Sequence, residues 1–202
     1  QPTSTTQWLW KVWGSSPDHI IAVRDAGTAL RWDGQIWSPY AVPTSETMLA
    51  VGGTGPDDVF VSDGQGVVHH WDGQSWTNED LFVSDNIADF WAFDANHVYG
   101  VSQFDGQVWR WDGQTWSLFA QPVSGGLSAI WGSGPHDIYV GGGGGEIAHW
   151  DGQSWTLMPT PTEPGGDNVT DLWGAGPGRV FAAGGNSFLW SLENGAWVQH
   201  SL

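Results

Sequence analysis

The sequence contains no cysteine among its 202 residues. A disulfide framework, a thiolate nucleophile and a cysteine-ligated metal are therefore excluded. Long apolar runs are also absent, because no stretch approaches the roughly 18 apolar residues of a membrane-spanning helix, so membrane insertion is not expected. No segment longer than about ten residues repeats its apolar positions with a helical period between turn signals. These absences favour an all-β chain.

Basic residues are scarce: five Lys and Arg stand against 22 Asp and Glu, for a formal net charge of −17. Such a surface repels phosphate, so nucleic acid is not an expected partner. Anionic membrane surfaces are disfavoured for the same reason. Neutral sugars, cations and basic protein patches remain as partner classes. The charge also has a simpler interpretation, which is that it keeps a tryptophan-rich β protein in solution.

Tryptophan and glycine are abundant, with 17 and 30 residues respectively. They follow a repeat in which one tryptophan recurs every 39 to 42 residues, as Trp37, Trp76, Trp116, Trp155 and Trp197. An earlier column keeps the same step, as Trp13, Gly52, Trp91, Trp131 and Trp173. Two independent columns that stay in step over five units indicate an internal repeat rather than biased composition.

Each repeat unit carries four short strand signals separated by Gly, Asp and Pro. Four strands in about 40 residues is the size of a propeller blade. The predicted fold is therefore an all-β, five-bladed β-propeller with four antiparallel strands per blade. We expect one domain over residues 1–202, with blades at about 7–45, 46–85, 86–125, 126–167 and 168–202.

The last hairpin of each unit has its own turn signal. Four units contain an Asp-Gly pair, at residues 33–34, 72–73, 112–113 and 151–152, which predicts a two-residue turn with positive φ at both positions. The fifth unit has Glu193-Asn194-Gly195 instead, which predicts a longer turn. Two tryptophans flank each turn, such as Trp150 and Trp155, and we expect them to approach each other on paired strands.

Two known repeat families show similar patterns. The unit with Tyr139, Gly141-Gly142, Trp150-Asp151 and Trp155 resembles a compressed kelch repeat. The Asp-Gly-x-x-Trp turn resembles the Asp-box of sialidase-like propellers, although the upstream Ser or Thr of that motif is absent. The resemblance covers nearly the whole chain in five copies and implies a propeller. It implies no single activity, because both families include enzymes, lectins and interaction scaffolds.

Candidate ligand-binding residues come from two adjacent columns near the Trp-Asp pair. One column is polar in every unit, and the column before it varies between apolar, aromatic and histidine residues. Sugar sites combine an aromatic face with a few hydrogen-bonding groups. The candidates are Trp109, Arg110, Trp190, Arg31, His70 and His149. The alternative for the arginines is packing and ion pairing between blades.

Catalysis and metal binding have weaker support in the sequence. Asp89 and Asp171 occupy equivalent positions in two blades, with Lys11 in the same column, and a glycoside hydrolase needs two carboxylates at a set distance. No residue is assigned as catalytic, however, and the chain is not expected to be an enzyme. None of the seven histidines has ligand spacing, so no metal or cofactor is expected. Calcium stays open at two acidic loops, residues 79–85 and 163–167, without a motif for it.

The leading functional hypothesis is a secreted, non-catalytic binding propeller that recognises carbohydrate at sites repeated between blades. Repeated weak sites would give avidity for a multivalent glycan. The alternatives are a structural or protein-interaction module of an extracellular assembly and, third, the hydrolase with Asp89 and Asp171. The expected partner is thus a glycan or an extracellular protein, and an oligomer is compatible with the sequence. The start at Gln1 fits a mature secreted chain or one trimmed at that point.

Overall fold

A computed structural model of the protein describes residues 8–81, 85–161 and 166–200. Its strands form five antiparallel sheets of four strands, each sheet built from one continuous stretch of chain. The prediction of an all-β chain with five four-stranded blades is confirmed. Within the described residues, helix is limited to one 3-10 turn at Gly185–Ser187.

The blades follow one another along the chain. Blade 1 is formed by β1 (Leu9–Ser16), β2 (His19–Arg24), β3 (Ala29–Trp32) and β4 (Trp37–Tyr40). Blade 2 is formed by β5 (Met48–Gly55), β6 (Asp58–Asp63), β7 (Val67–Trp71) and β8 (Trp76–Asp80). Blade 3 is formed by β9 (Ile87–Asp94), β10 (His97–Ser102), β11 (Val108–Trp111) and β12 (Trp116–Ala120). Blade 4 is formed by β13 (Leu127–Gly134), β14 (Asp137–Gly142), β15 (Ile147–Trp150) and β16 (Trp155–Met158). Blade 5 is formed by β17 (Val169–Gly174), β18 (Val180–Gly184), β19 (Phe188–Glu193) and β20 (Ala196–His200).

The chain divides into two compact units by its internal contacts. The first unit comprises residues 1–98 and 112–116, and it contains blades 1 and 2 with β9. The second comprises residues 99–111 and 117–202, and it contains blades 4 and 5 with most of the other blade 3 strands. The single domain over residues 1–202 therefore stays a prediction.

Each blade has two faces, because successive side chains of a strand point to opposite sides of the sheet. We call the side of blade 1 with Trp13 and Ile21 its forward face, and the side with Val12 and Ile20 its rear face. Equivalent positions of the other blades define their faces in the same way. In the first unit, the forward face of blade 1 packs on the rear face of blade 2. Buried residues of that interface are Ile21, Val23, Ala29, Met48, Val51, Val59 and Val61.

The Asp-Gly turns are longer than the sequence predicted. Trp32 pairs with Trp37, so four residues separate the two strands, and only Gly34 among them has positive φ, at 93°. Asp33 Oδ1 accepts the backbone N–H groups of Gln35 and Ile36, at 2.9 and 2.8 Å. The two-residue turn was therefore wrong, because the Asp carboxylate caps two N–H groups that only a longer loop presents to it. These hydrogen bonds also hold the pKa of Asp33 below its usual value.

The fifth hairpin departs in the opposite direction. Glu193 pairs with Ala196, which leaves Asn194 and Gly195 as a two-residue turn with φ of 50° and 83°. The longer turn expected here was wrong, because Asn and Gly are the residues that tolerate left-handed φ most readily. The tryptophan pairs are confirmed, since Trp150 and Trp155 pair across the strands with ring centroids 5.8 Å apart.

Candidate functional site

The candidate site is a groove of about 360 Å³ in the second unit. Four segments contribute to it: the β10–β11 connection, the entry to β13, the β14–β15 connection and the residue before β17. The lining residues are Gln103, Phe104, Gly126, Leu127, Ser128, Gly143 and Asn168. These segments vary between repeat units, and loops carried by a rigid sheet scaffold are common positions for binding residues.

Glycine brings the walls of the groove together. The Gly143 N–H donates to the Gly126 carbonyl at 2.9 Å. A β-carbon on Gly126 would stand 1.8 Å from the Gln103 carbonyl oxygen, and one on Gly142 would stand 2.0 Å from the Gly126 carbonyl oxygen. Only glycine permits three backbone segments to pass at this distance. The glycine run at residues 141–145 therefore shapes the groove as well as the hairpin.

The groove offers one aromatic ring and several amide groups. Phe104 is exposed, as are the neighbouring amide side chains of Gln103 and Asn168. Asn168 is held in place because its Oδ1 accepts the Gly144 N–H at 3.0 Å. The Ser128 hydroxyl donates to the Val169 carbonyl, which fixes the entry to β13 against the start of blade 5. An apolar ring beside fixed polar groups is the composition of a binding site for polar ligands.

Acidic side chains accompany these segments. Asp105 follows Phe104, and Asp167 precedes Asn168 along the chain. Glu146 Oε2 lies 3.8 Å from the place where a β-carbon on Gly125 would stand, next to the groove-lining Gly126. With a net charge of −17 over the whole chain, this region favours cationic groups over anionic ones.

His149, one of the predicted site residues, belongs to a side-chain network in blade 4. Its Nε2 lies 2.7 Å from Asp137 Oδ1, and the Ser133 hydroxyl donates to Asp137 Oδ2 at 2.5 Å. The imidazole also stacks on Tyr139, with ring centroids 4.2 Å apart. Burial raises the pKa of Tyr139 to about 12, and the charge of Asp137 and a hydrogen bond to it act in the same direction.

His70 has the same arrangement in blade 2. Its Nε2 lies 2.8 Å from Asp58 Oδ1, Thr54 donates to the same carboxylate, and Phe60 stacks on the ring at 4.1 Å. In both blades the carboxylate stands between the hydroxyl and the imidazole. Because the hydroxyl has no base beside it, the order does not suit a nucleophile and instead braces the first three strands. The signal in the sequence was a Ser or Thr four residues before an Asp, with a His twelve residues after it.

The other predicted site residues are dispersed. Trp190 is fully buried and stacks on Phe188 at 3.9 Å, so its ring offers no exposed face. Trp109 and Arg110 are half-buried, and Arg31 is exposed. Arg31 and His70 belong to the first unit, and the other four candidates belong to the second. The six are not part of the groove, and their role in ligand binding stays a prediction.

The carboxylates of the hydrolase hypothesis lie in different units. Asp89, in the first unit, is nearly buried and forms an ion pair with Lys11 at 3.0 Å. Asp171, in the second, is exposed on the forward face of blade 5.

Metal ligands and membrane spans were also considered. Over residues 8–81, 85–161 and 166–200, no group of three or more His, Asp and Glu side chains is arranged to hold a metal ion. Of the acidic loops considered for calcium, Glu163 lies outside the described residues. In the same part of the chain, no helix has the length and apolar character needed to cross a membrane.

Comparison with known proteins gives a fold and no family. No family model matches the chain, and no curated protein matches it. Solved structures do match, each at TM-scores above 0.7. YCF48 bound to D1 peptide has a TM-score of 0.72 and 16% identity, with 98% of this chain and 69% of that chain covered.

Two further structures are similar. The RRP9 WD40 repeats have a TM-score of 0.72 and 14% identity, with 93% of this chain and 63% of that chain covered. Catalytically inactive H270A virginiamycin B lyase from Staphylococcus aureus, with quinupristin, has a TM-score of 0.81 and 14% identity, with 99% and 71% covered. The chain thus spans about two thirds of the length of these structures. At such identities the likeness shows the fold alone: this is an all-β, five-bladed β-propeller chain, as its repeat predicted.

Proposed function

We propose that the chain is a non-catalytic binding propeller that holds a basic segment of another protein in the groove of the second unit. The observation that carries the proposal is the exposed Phe104 ring between the amide groups of Gln103 and Asn168. An apolar anchor with polar groups around it is the usual centre of a protein interface.

Size and charge define the segment. A groove of about 360 Å³ accommodates one or two side chains of a bound segment rather than a folded domain. Asp105, Glu146 and Asp167 accompany its lining residues, so Lys or Arg in the ligand is favoured over Asp or Glu. An apolar residue for Phe104 with basic residues next to it is the chemistry that fits.

The comparisons support a protein ligand. YCF48, which shares this fold, is the propeller seen with a bound peptide. Propellers are rigid scaffolds whose loops vary, and this groove is made of such loops. The secreted location remains part of the proposal, because an acidic surface and the absence of cysteine are compatible with it.

A neutral glycan is the second candidate. A phenyl ring beside two amide side chains is also suitable for stacking and hydrogen bonding to a sugar. This places carbohydrate recognition in one groove and not at sites repeated between blades. The two candidates differ in charge preference, because a neutral sugar gains nothing from the acidic surroundings.

The test is selection of binders from a displayed library of random short peptides, followed by calorimetry of the synthesised winners. We expect peptides with an apolar residue beside Lys or Arg. Phe104→Ala removes the buried apolar contact, worth about 1.5–3 kcal/mol, and should weaken the Kd about 10- to 100-fold. The matched control is Leu118→Ala, an equally exposed apolar residue on β12 that does not line the groove, and it should leave the Kd unchanged.

Three results contradict the protein-segment proposal. Selected peptides that bind Phe104→Ala as tightly as wild type would place their site elsewhere. A glycan-array signal that Phe104→Ala abolishes, without any peptide binder, would support the second candidate instead. Loss of neither ligand class in the variant, or no binder at all, would overturn the groove as the binding site.

A further inference from the structure

The packing of blade 4 on blade 5 shows what the forward and rear faces require. Val169 and Leu172 on the rear face of blade 5 lie over Gly141 on the forward face of blade 4. A β-carbon on Gly141 would come within 2.8 Å of Val169 and 3.4 Å of Leu172. In return, Trp131 of blade 4 covers Gly174 of blade 5, at 2.4 Å from an added β-carbon. Val169, Leu172 and Trp131 are consequently 0%, 4% and 4% exposed.

The rear face of blade 1 has the same residues in the same register but no cover. Leu9 is equivalent to Val169 and Val12 is equivalent to Leu172, since they occupy the same pairing positions in β1 and β17. Leu9 is nevertheless 57% exposed, and Val12 is 64% exposed. Exposed apolar side chains at consecutive core-type positions of a sheet are a typical sign of an interaction surface.

The forward face of blade 5 is uncovered as well. Trp173 is equivalent to Trp131 but is 59% exposed, and Phe181, equivalent to the buried Tyr139, is 37% exposed. Together with Asp171, Ala183 and Leu189, they border a depression of about 150 Å³. Ala183 at its base is equivalent to Gly141, on which the preceding interface places Val169 and Leu172.

We propose that these two faces bind each other between copies of this chain. Leu9 and Val12 of one copy pack into the depression on blade 5 of the next, and Trp173 of that copy covers Gly14, the equivalent of Gly174. The interface repeats the contact that blades 4 and 5 make within the second unit, and that blades 1 and 2 make within the first. A second copy is the occupant because it carries the matching face in the matching register.

Such an interface joins two different surfaces, so it is head-to-tail. A head-to-tail contact produces a closed ring if the rotation returns to the start, and an open chain otherwise. The copies also repel each other, because each carries a net charge of −17. Salt screens that repulsion and strengthens apolar association, so the oligomer should gain mass as the ionic strength rises.

Sedimentation velocity over a concentration series tests the proposal. Wild type should form species larger than one chain. Val12→Asp blocks the rear face of blade 1, and Trp173→Asp blocks the forward face of blade 5. Each places a charge in a face that must become apolar, so each alone should weaken self-association at least about 100-fold.

Mixing the two variants gives the sharpest result. Val12→Asp retains an intact blade 5 face and Trp173→Asp retains an intact blade 1 face, so an equal mixture should form 1:1 dimers that grow no further. An interface between identical surfaces would not be rescued by mixing. Leu9→Asp and Phe181→Asp form a second pair with the same expectation, should thermal unfolding show that a member of the first pair is destabilised.

Leu157→Asp is the matched control, because Leu157 is 54% exposed on β16 and faces neither surface. It should associate as wild type does. A wild type that stays monomeric at every concentration and salt level would overturn the proposal. So would a folded Val12→Asp or Trp173→Asp variant that associates like wild type, or a mixture that stays monomeric.

Discussion

Asp63 of blade 2 is a buried carboxylate, and its replacement by Asn should destabilise the first unit strongly. Its Oδ2 accepts hydrogen bonds from His69 Nε2 at 2.9 Å and from the Thr44 hydroxyl at 3.0 Å. Its Oδ1 accepts the backbone N–H groups of Gln65 and Val67 at 3.0 and 3.2 Å. The side chains of Asp63 and His69 are each only 3% exposed, so water does not replace a lost partner.

The magnitude follows from that burial. Removing one partner of a buried charged pair costs about 3–5 kcal/mol, because the remaining polar groups stay desolvated. An amide in place of the carboxylate turns one acceptor into a donor that faces donors on every side. We therefore expect Asp63→Asn to lower the free energy of unfolding by about 3–5 kcal/mol at neutral pH.

Urea unfolding followed by tryptophan fluorescence measures the change. The control is Asp72→Asn, at an exposed carboxylate that also accepts two backbone N–H groups, from Gln74 at 2.8 Å and Ser75 at 2.7 Å. Its midpoint should stay close to that of wild type, since water can solvate the altered group. If Asp63→Asn were no more destabilising than Asp72→Asn, the reasoning from burial would be refuted.

The same carboxylate gives the stability an acid dependence. Burial by itself would raise the pKa of Asp63, but the hydrogen bonds from His69, Gln65, Thr44 and Val67 outweigh it and hold the pKa below 3.8. A lowered pKa in the folded state means that the stabilisation is complete above about pH 4 and is lost as the pH falls further. Wild type should lose stability in that acid range, and Asp63→Asn should show a smaller loss there.

Two further predictions concern the second unit. Gly174→Ala should lower the free energy of unfolding by about 1–3 kcal/mol, because the added methyl meets the Trp131 ring, whereas Gly55→Ala, with open space around it, should cost much less in the same urea titration. Ultraviolet titration of Tyr139, in a Tyr40→Phe/Tyr99→Phe background, should give a pKa of about 12. Asp137→Asn should lower that pKa while burial keeps it above 10.0, and an unchanged value would show that the carboxylate does not act on the phenol.

The repeat gave most of the architecture. Two tryptophan columns predicted five units, and the alternation within each unit predicted four strands, both of which are local properties of the chain. Turn geometry was less accessible. Asp33 and Gly34 have the composition of a two-residue turn, but the side chain of Asp33 caps two N–H groups and opens a four-residue loop. Which of two turn types wins depends on hydrogen bonds that composition does not specify.

The candidate site was the harder part to foresee. The polar column containing His70 and His149 suggested exposed ligand-binding side chains, yet Asp58 and Asp137 engage both imidazoles. Phe104 attracted no attention because it belongs to no repeated column, and a residue that breaks the repeat has no periodic signal. Sequence columns identify equivalent positions; they do not tell a stacked histidine from an accessible one.

The sequence alone thus determined the all-β class, the five blades and the positions of their strands, because hydrophobic alternation and turn residues act within a few positions of the chain. Tertiary structure alone decided which aromatic residues are buried and which are exposed. Trp131 and Trp173 occupy the same place in the repeat, yet Gly174 covers the first and nothing in the described chain covers the second. Burial depends on the neighbouring sheet, so residues that are identical within the repeat acquire different roles in the fold.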